Sequence, residues 1–110
     1  MPRIITLPEA EDDLARLEDF LTEKNQDVAK RMRDIILTSV GRLERSPHLG
    51  SPFGRFKRLI IKFGRSTYIV VYMFDEDLDE VHVISMRHGL EDPNHPEHGQ
   101  SADTAILQDS

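Results

Sequence analysis

A chain of 110 residues with 14 Lys plus Arg against 20 Asp plus Glu suits a single domain and carries a formal charge of −6, which excludes a uniformly basic nucleic-acid binder. Its 38% apolar and 31% charged composition fits a soluble globule better than a disordered chain, and no apolar run reaches the roughly 18 to 20 residues of a membrane helix. The absence of cysteine removes disulfides and thiolate metal ligands, and Met-Pro-Arg-Ile-Ile-Thr has no apolar signal core, so cytoplasm is the expected compartment and no membrane partner is expected.

After a short apolar Ile4-Ile5, Thr6-Leu7-Pro8-Glu9 has the form of a capping box, with Pro8 in a first turn where its missing N–H costs nothing. Ala10, Leu14, Leu17 and Leu21 recur at helical spacing and share one face. Asn25 restarts the pattern as an N-cap with Asp27 behind it, and Val28, Met32, Ile35, Ile36, Val40 and Leu43 form the expected buried face of a second helix that Ser46-Pro47 stops. Two helices joined by so short a turn form an αα-hairpin.

His48 to Gly54 reads as a turn-rich connection, and strands are expected over residues 58–63, 67–74 and 81–87, separated by Gly64-Arg65-Ser66 and an acidic loop at 75–79. Short loops make these strands an antiparallel meander. Tyr68-Ile69-Val70-Val71-Tyr72-Met73 is apolar on both alternating faces, so it is expected at the centre, with the helix hairpin over one face and some cover on the other. The expected fold is α/β in the α+β sense, β-α-α-β-β-β, with a helix hairpin on a small, mainly antiparallel sheet. Residues 1–92 form the expected domain, and 93–110 an acidic flexible tail in which Ala105 to Leu107 is at most a weak docking point.

The charges are segregated. Residues 51–72 hold Arg55, Lys57, Arg58, Lys62 and Arg65 and no acid, whereas residues 91–110 hold Glu91, Asp92, Glu97, Asp103 and Asp109 and no Lys or Arg. The first 90 residues therefore count 14 bases against 15 acids, so five of the six net negative charges belong to residues 91–110. The basic stretch reads either as a solvated strand edge that discourages pairing or as an anion-binding face for nucleic-acid phosphate or an acidic protein segment. Arg58, Ile60 and Lys62 share one side of a regular strand, and Arg55 and Lys57 share the other with Leu59 and Ile61.

Arg87 and His88 close the last expected strand. Period two places Arg87 with Val81, Val83 and Ser85, and His88 with His82, Ile84 and Met86. An imidazole that moves protons beside a guanidinium that holds phosphate would serve phosphodiester cleavage; the plainer reading gives Arg87 a carboxylate partner and His88 a turn role. His95-x-x-His98 encloses Pro96 in the tail and is a poor metal site; no metal and no nucleotide cofactor are expected, because the glycines form no phosphate-binding pattern.

The order Pro8-Glu9-Ala10-Glu11-Asp12-Asp13-Leu14, Asn25 with Val28-Ala29, Leu43 with Pro47 and Gly50, Tyr68-Ile69-Val70-Val71-Tyr72 and Arg87-His88-Gly89 resembles the RelE/ParE toxin superfamily of bacterial toxin-antitoxin systems over roughly residues 2 to 92. The resemblance implies a compact toxin held inactive by a cognate antitoxin that wraps it and covers its basic surface. RelE-like members are ribosome-dependent mRNA endoribonucleases, and on that branch Arg87 and His88 would be catalytic beside Arg55, Lys57, Arg58 and Arg65. ParE-like members poison DNA gyrase without known nuclease chemistry. The Tyr68 to Tyr72 pattern and the ending Arg87 to Asp92 look more like the ParE branch, and no tyrosine in the tail matches a terminal catalytic tyrosine. A module that binds antitoxin but has lost toxicity is the third expectation.

Overall fold

In the computed structural model, which describes residues 1–91, the chain opens with the strand β1 (Arg3–Thr6). Helix α1 (Pro8–Thr22) starts with Leu7 as an extended N-cap and Pro8 in its first turn. The expected Thr6 capping box does not form, and no side chain caps this helix. Thr6 is held in strand register opposite Val83, and the Leu7 N–H donates to the Val83 carbonyl at 3.0 Å. The sheet thus keeps the backbone one residue longer than the cap requires, and helix entry moves to Leu7. Ala10, Leu14 and Leu17 are buried as expected, and Leu21 is partly so.

Helix α2 (Gln26–Gly41) begins as the sequence indicates: Asn25 is extended, and its side-chain oxygen accepts the N–H groups of Asp27 at 2.9 Å and Val28 at 3.1 Å. Its buried stripe is Ala29, Met32, Ile36 and Val40, extended by Leu43 in the 3-10 turn Arg42–Glu44. Ile35, expected inside, is 37% exposed, and Val28 is half-buried. Neighbouring helical residues point about 100° apart, so a stripe centred on 29, 32, 36 and 40 turns 28 and 35 toward its margin.

Four further strands follow, β2 (Ser51–Phe53), β3 (Phe56–Phe63), β4 (Ser66–Asp75) and β5 (Glu80–His88), and the sheet order is β1-β5-β4-β3-β2. The antiparallel meander of β3, β4 and β5 is as expected, with β4 at the centre. Two features differ from the sequence expectation. β1 lies parallel to β5, which makes the sheet mixed. The stretch read as a connection contains β2, which folds back on β3 through Gly54-Arg55, with Gly54 at φ +62°. Pro52 disguised it: a proline is tolerated on an edge strand, where one side needs no N–H donor.

The helix hairpin covers one sheet face, where Leu59, Ile61, Tyr68, Val70, Tyr72, Val81, Val83 and Met86 join Leu14, Met32 and Ile36 in a single core. The sequence also implied some cover on the opposite face; among the described residues no helix supplies it, yet Ile69 at the centre of that face is only 1% exposed. No helix among the described residues is long and apolar enough to cross a membrane. The tail at 93–110, the Ala105 to Leu107 run and the His95/His98 pair lie outside the described residues.

Candidate functional site

The alternation of β3 sends Leu59 and Ile61 into the core and Arg58, Ile60 and Lys62 to the opposite face. Across the ladder Ile60 stands beside Ile69, and Ile69 in turn beside Arg87; Lys62 stands beside Thr67, and Arg58 beside Val71. Adjacent strands are about 4.8 Å apart and residues along a strand about 3.3 Å, so Arg58, Lys62 and Arg87 mark out a field on the order of 10 by 13 Å. Along this part of the face β3 and β4 contribute no acid: the residues between the cations are Ile60, Thr67, Ile69 and Val71. Lys62 and Arg87 are exposed, and Arg58 is half-buried with its guanidinium 4.7 Å from the Phe53 ring centroid.

Arg87 reaches this face because of an irregularity the sequence conceals. The β4–β5 register runs Val71 opposite Ser85 and then Tyr72 opposite Val83, so Ile84 is an extra residue, a β-bulge. Val81 and Val83 lie in the core with Met86, and uninterrupted period two fails between them. Arg87 therefore does not share a face with Val81 and Val83, as simple alternation has it; it stands on the open face, and His88 stands on the helix side with Met86. Lys57 also falls on the helix side, at the end of β3, while Arg55 occupies the β2–β3 turn and Arg65 the β3–β4 turn. Arg55 thus belongs to neither face. The structure brings Arg58, Lys62 and Arg87 together and separates them from Lys57, Arg55, Arg65 and His88.

His88 packs edge-on to Tyr68, ring centroids 5.3 Å apart, and its Nδ1 accepts the Leu90 N–H at 3.1 Å, so the neutral ring carries its proton on Nε2. The 3-10 turn Gly89–Glu91 makes this geometry. The Glu91 carboxylate accepts the His88 N–H at 2.9 Å and pairs with Arg16 of α1 at 2.6 Å. Burial pushes the Glu91 carboxyl upward, but the His88 N–H and the Arg16 guanidinium outweigh it and hold the group below its ordinary value. These residues rim a cavity of about 580 Å³ between α1 and the end of the sheet, floored by Leu17, Leu21 and Leu90 with Phe20 at its mouth. Neither Arg16 nor Phe20 is singled out by the sequence; the one signal was an aromatic residue just off the α1 stripe.

At the far end of the open face the positive charge is balanced. Glu80 pairs with Arg3 of β1 and hydrogen-bonds the His82 imidazole at 3.0 Å, and these two partners, His82 foremost, lower its carboxyl below the ordinary range. The face is therefore a dipolar strip, basic beside the bulge and neutralised past it. Such a strip recognises an anionic surface in one orientation. Among the described residues no cluster of His, Cys, Asp or Glu has the makings of a metal site.

Curated proteins compared with this chain give no match. A family model described as the ParE toxin of the type II toxin-antitoxin system, parDE, matches residues 4–93, a span that takes in all of β1 but Arg3, both helices, the other four strands and the bulge that turns Arg87 outward. With an α+β fold of this order and a match over most of its length, the chain belongs to the ParE toxin family of type II toxin-antitoxin systems.

Proposed function

We propose that this toxin acts as a non-enzymatic poison of DNA gyrase, neutralised by a cognate antitoxin, and that the face bearing Arg58, Lys62 and Arg87 engages the anionic partner. Family membership gives the toxin role and implies an antitoxin partner; the gyrase reading goes further. One observation carries it: Arg87 and His88 leave opposite faces of β5. A proton-moving imidazole and a phosphate-holding guanidinium serve one phosphodiester only if both reach the same reacting atoms, to within hydrogen-bond distance. Here strand alternation divides them, and the bulge decides that Arg87 takes the open face and His88 the helix side, which leaves a charged recognition face rather than an acid–base pair. The same face accommodates an acidic segment of the antitoxin, and toxin action and neutralisation then compete for the same cations.

Purified protein assayed in parallel for gyrase-linked DNA breaks and for ribosome-dependent mRNA cleavage separates the readings. DNA breaks that fall with Arg87→Ala and survive His88→Ala support the proposal. Message cleavage lost in both variants overturns it in favour of a RelE-like endoribonuclease. Normal growth of cells making soluble protein without antitoxin leaves only an antitoxin-binding module.

A further inference from the structure

We propose that the groove between α1 and the Tyr68–His88 corner is occupied by the C-terminal segment of this same chain, with Ile106 and Leu107 as apolar anchors and Asp103 and Asp109 facing the groove's cations. The groove is too apolar to be explained by the charged face. Phe20 is 59% exposed at its mouth, and a cavity of about 580 Å³ floored by leucines is of the size and character that holds a small apolar ligand. One of its cations, Lys24, is placed for an acidic ligand. The Lys24 ammonium sits 4.7 Å from the Phe20 ring centroid, and Arg16 holds Glu91 on the rim.

The chain itself supplies a matching ligand. The last described residue, Glu91, lines the groove, so the remaining 19 residues depart from its edge. Within residues 93–110 the only aliphatic run is Ala105-Ile106-Leu107, set between Asp103 and Asp109, and no Lys or Arg is present to oppose Lys24. The residues between Glu91 and Ile106 span at most about 50 Å when extended, and Pro93, Pro96 and Gly99 supply residues suited to reversing direction. A tether this short gives an effective concentration on the order of millimolar, so a segment of only millimolar affinity as a free peptide fills the groove about half of the time. The open sheet face competes for the same acids but offers the anchors little beyond exposed Ile60. Any partner that seats a side chain against Phe20 has then to displace the chain's own segment.

The protein contains no cysteine, so a nitroxide on Gln108→Cys reports position in the full-length chain. The expected result is several-fold stronger paramagnetic broadening of the amides of residues 17–24 and 88–91 than of 58–62, abolished by I106D/L107D and unchanged when labelled chain is diluted with unlabelled, NMR-silent chain. Broadening centred on 58–62 and 85–87, uniform weak broadening, or loss on dilution each overturns the proposal. All the substitutions lie beyond the family-matched residues 4–93, and the toxicity assay reads the proposed function independently.

Discussion

The Asp13 carboxylate of α1 accepts the Met86 backbone N–H at 3.0 Å, where β5 has outrun its parallel neighbour β1. β1 stops at Thr6, so an N–H that would otherwise enter the ladder faces the helix instead, one residue before Arg87. A side chain on one element thereby fixes the strand end that presents the candidate cation.

Asp13→Ala is expected to strand that donor beside a residue only 1% exposed and to cost about 1–3 kcal/mol. Thermal denaturation measures the loss, and hydrogen exchange at the Met86 amide localises it. Asp13→Asn, which keeps an acceptor oxygen, loses less. An unchanged exchange rate in Asp13→Ala shows that the bond does not hold the strand end.

Gly50 and Tyr72 form a second lock. The Tyr72 hydroxyl accepts the Gly50 N–H at 2.8 Å and donates to the Pro47 carbonyl at 2.9 Å, tying the segment after the helices to the central strand. A Cβ at position 50 would stand 2.6 Å from the Arg58 carbonyl oxygen and 2.8 Å from the Tyr72 ring, so Gly50→Ala forces backbone to move. We expect about 1–3 kcal/mol for Gly50→Ala from overpacking and a similar figure for Tyr72→Phe from two deserted polar groups. Both changes break the same junction, so chemical denaturation of the double variant gives less than their sum.

The open face makes a prediction about salt. Lys62→Gln and Arg87→Gln should each lower the slope of log affinity against log salt for a single-stranded oligonucleotide by about 0.7, the share of one phosphate contact. Lys57→Gln, on the helix side, should leave it unchanged. Equal effects at all three positions, measured by fluorescence titration, would mean that binding follows net charge rather than this face.

The pH dependence follows from three groups. Glu80, through His82 and Arg3, and Glu91, through His88 and Arg16 against its burial, titrate below the ordinary glutamate value in the folded chain. Their stabilisation is complete above the unfolded value of about 4.3 and is lost as pH falls through the folded values, because the unfolded chain then binds more protons. Glu91→Gln should flatten the acid limb of a Tm against pH curve. Tyr72 acts at the other end: burial raises its phenol despite the Gly50 N–H, so its contribution is present below the unfolded value of about 10 and declines as pH rises toward the folded one.

The sequence by itself determined the elements whose signals are local. Asn25 caps α2 because a short polar side chain reaches the N–H groups two and three residues on without tertiary help, and the apolar stripes chose the faces that α1 and α2 bury. The alternation of β3 likewise placed Arg58 and Lys62 together. What only the tertiary structure decided depends on partners distant in the chain. Strand pairing with Val83 overrode the Thr6 cap, and β3 recruited the proline-bearing β2 as an edge. The unmatched Ile84 reversed the parity of β5, so Arg87 joined the basic face while His88 turned toward α1. A one-residue register shift leaves no mark in composition or spacing, yet it sends every later side chain of the strand to the opposite face.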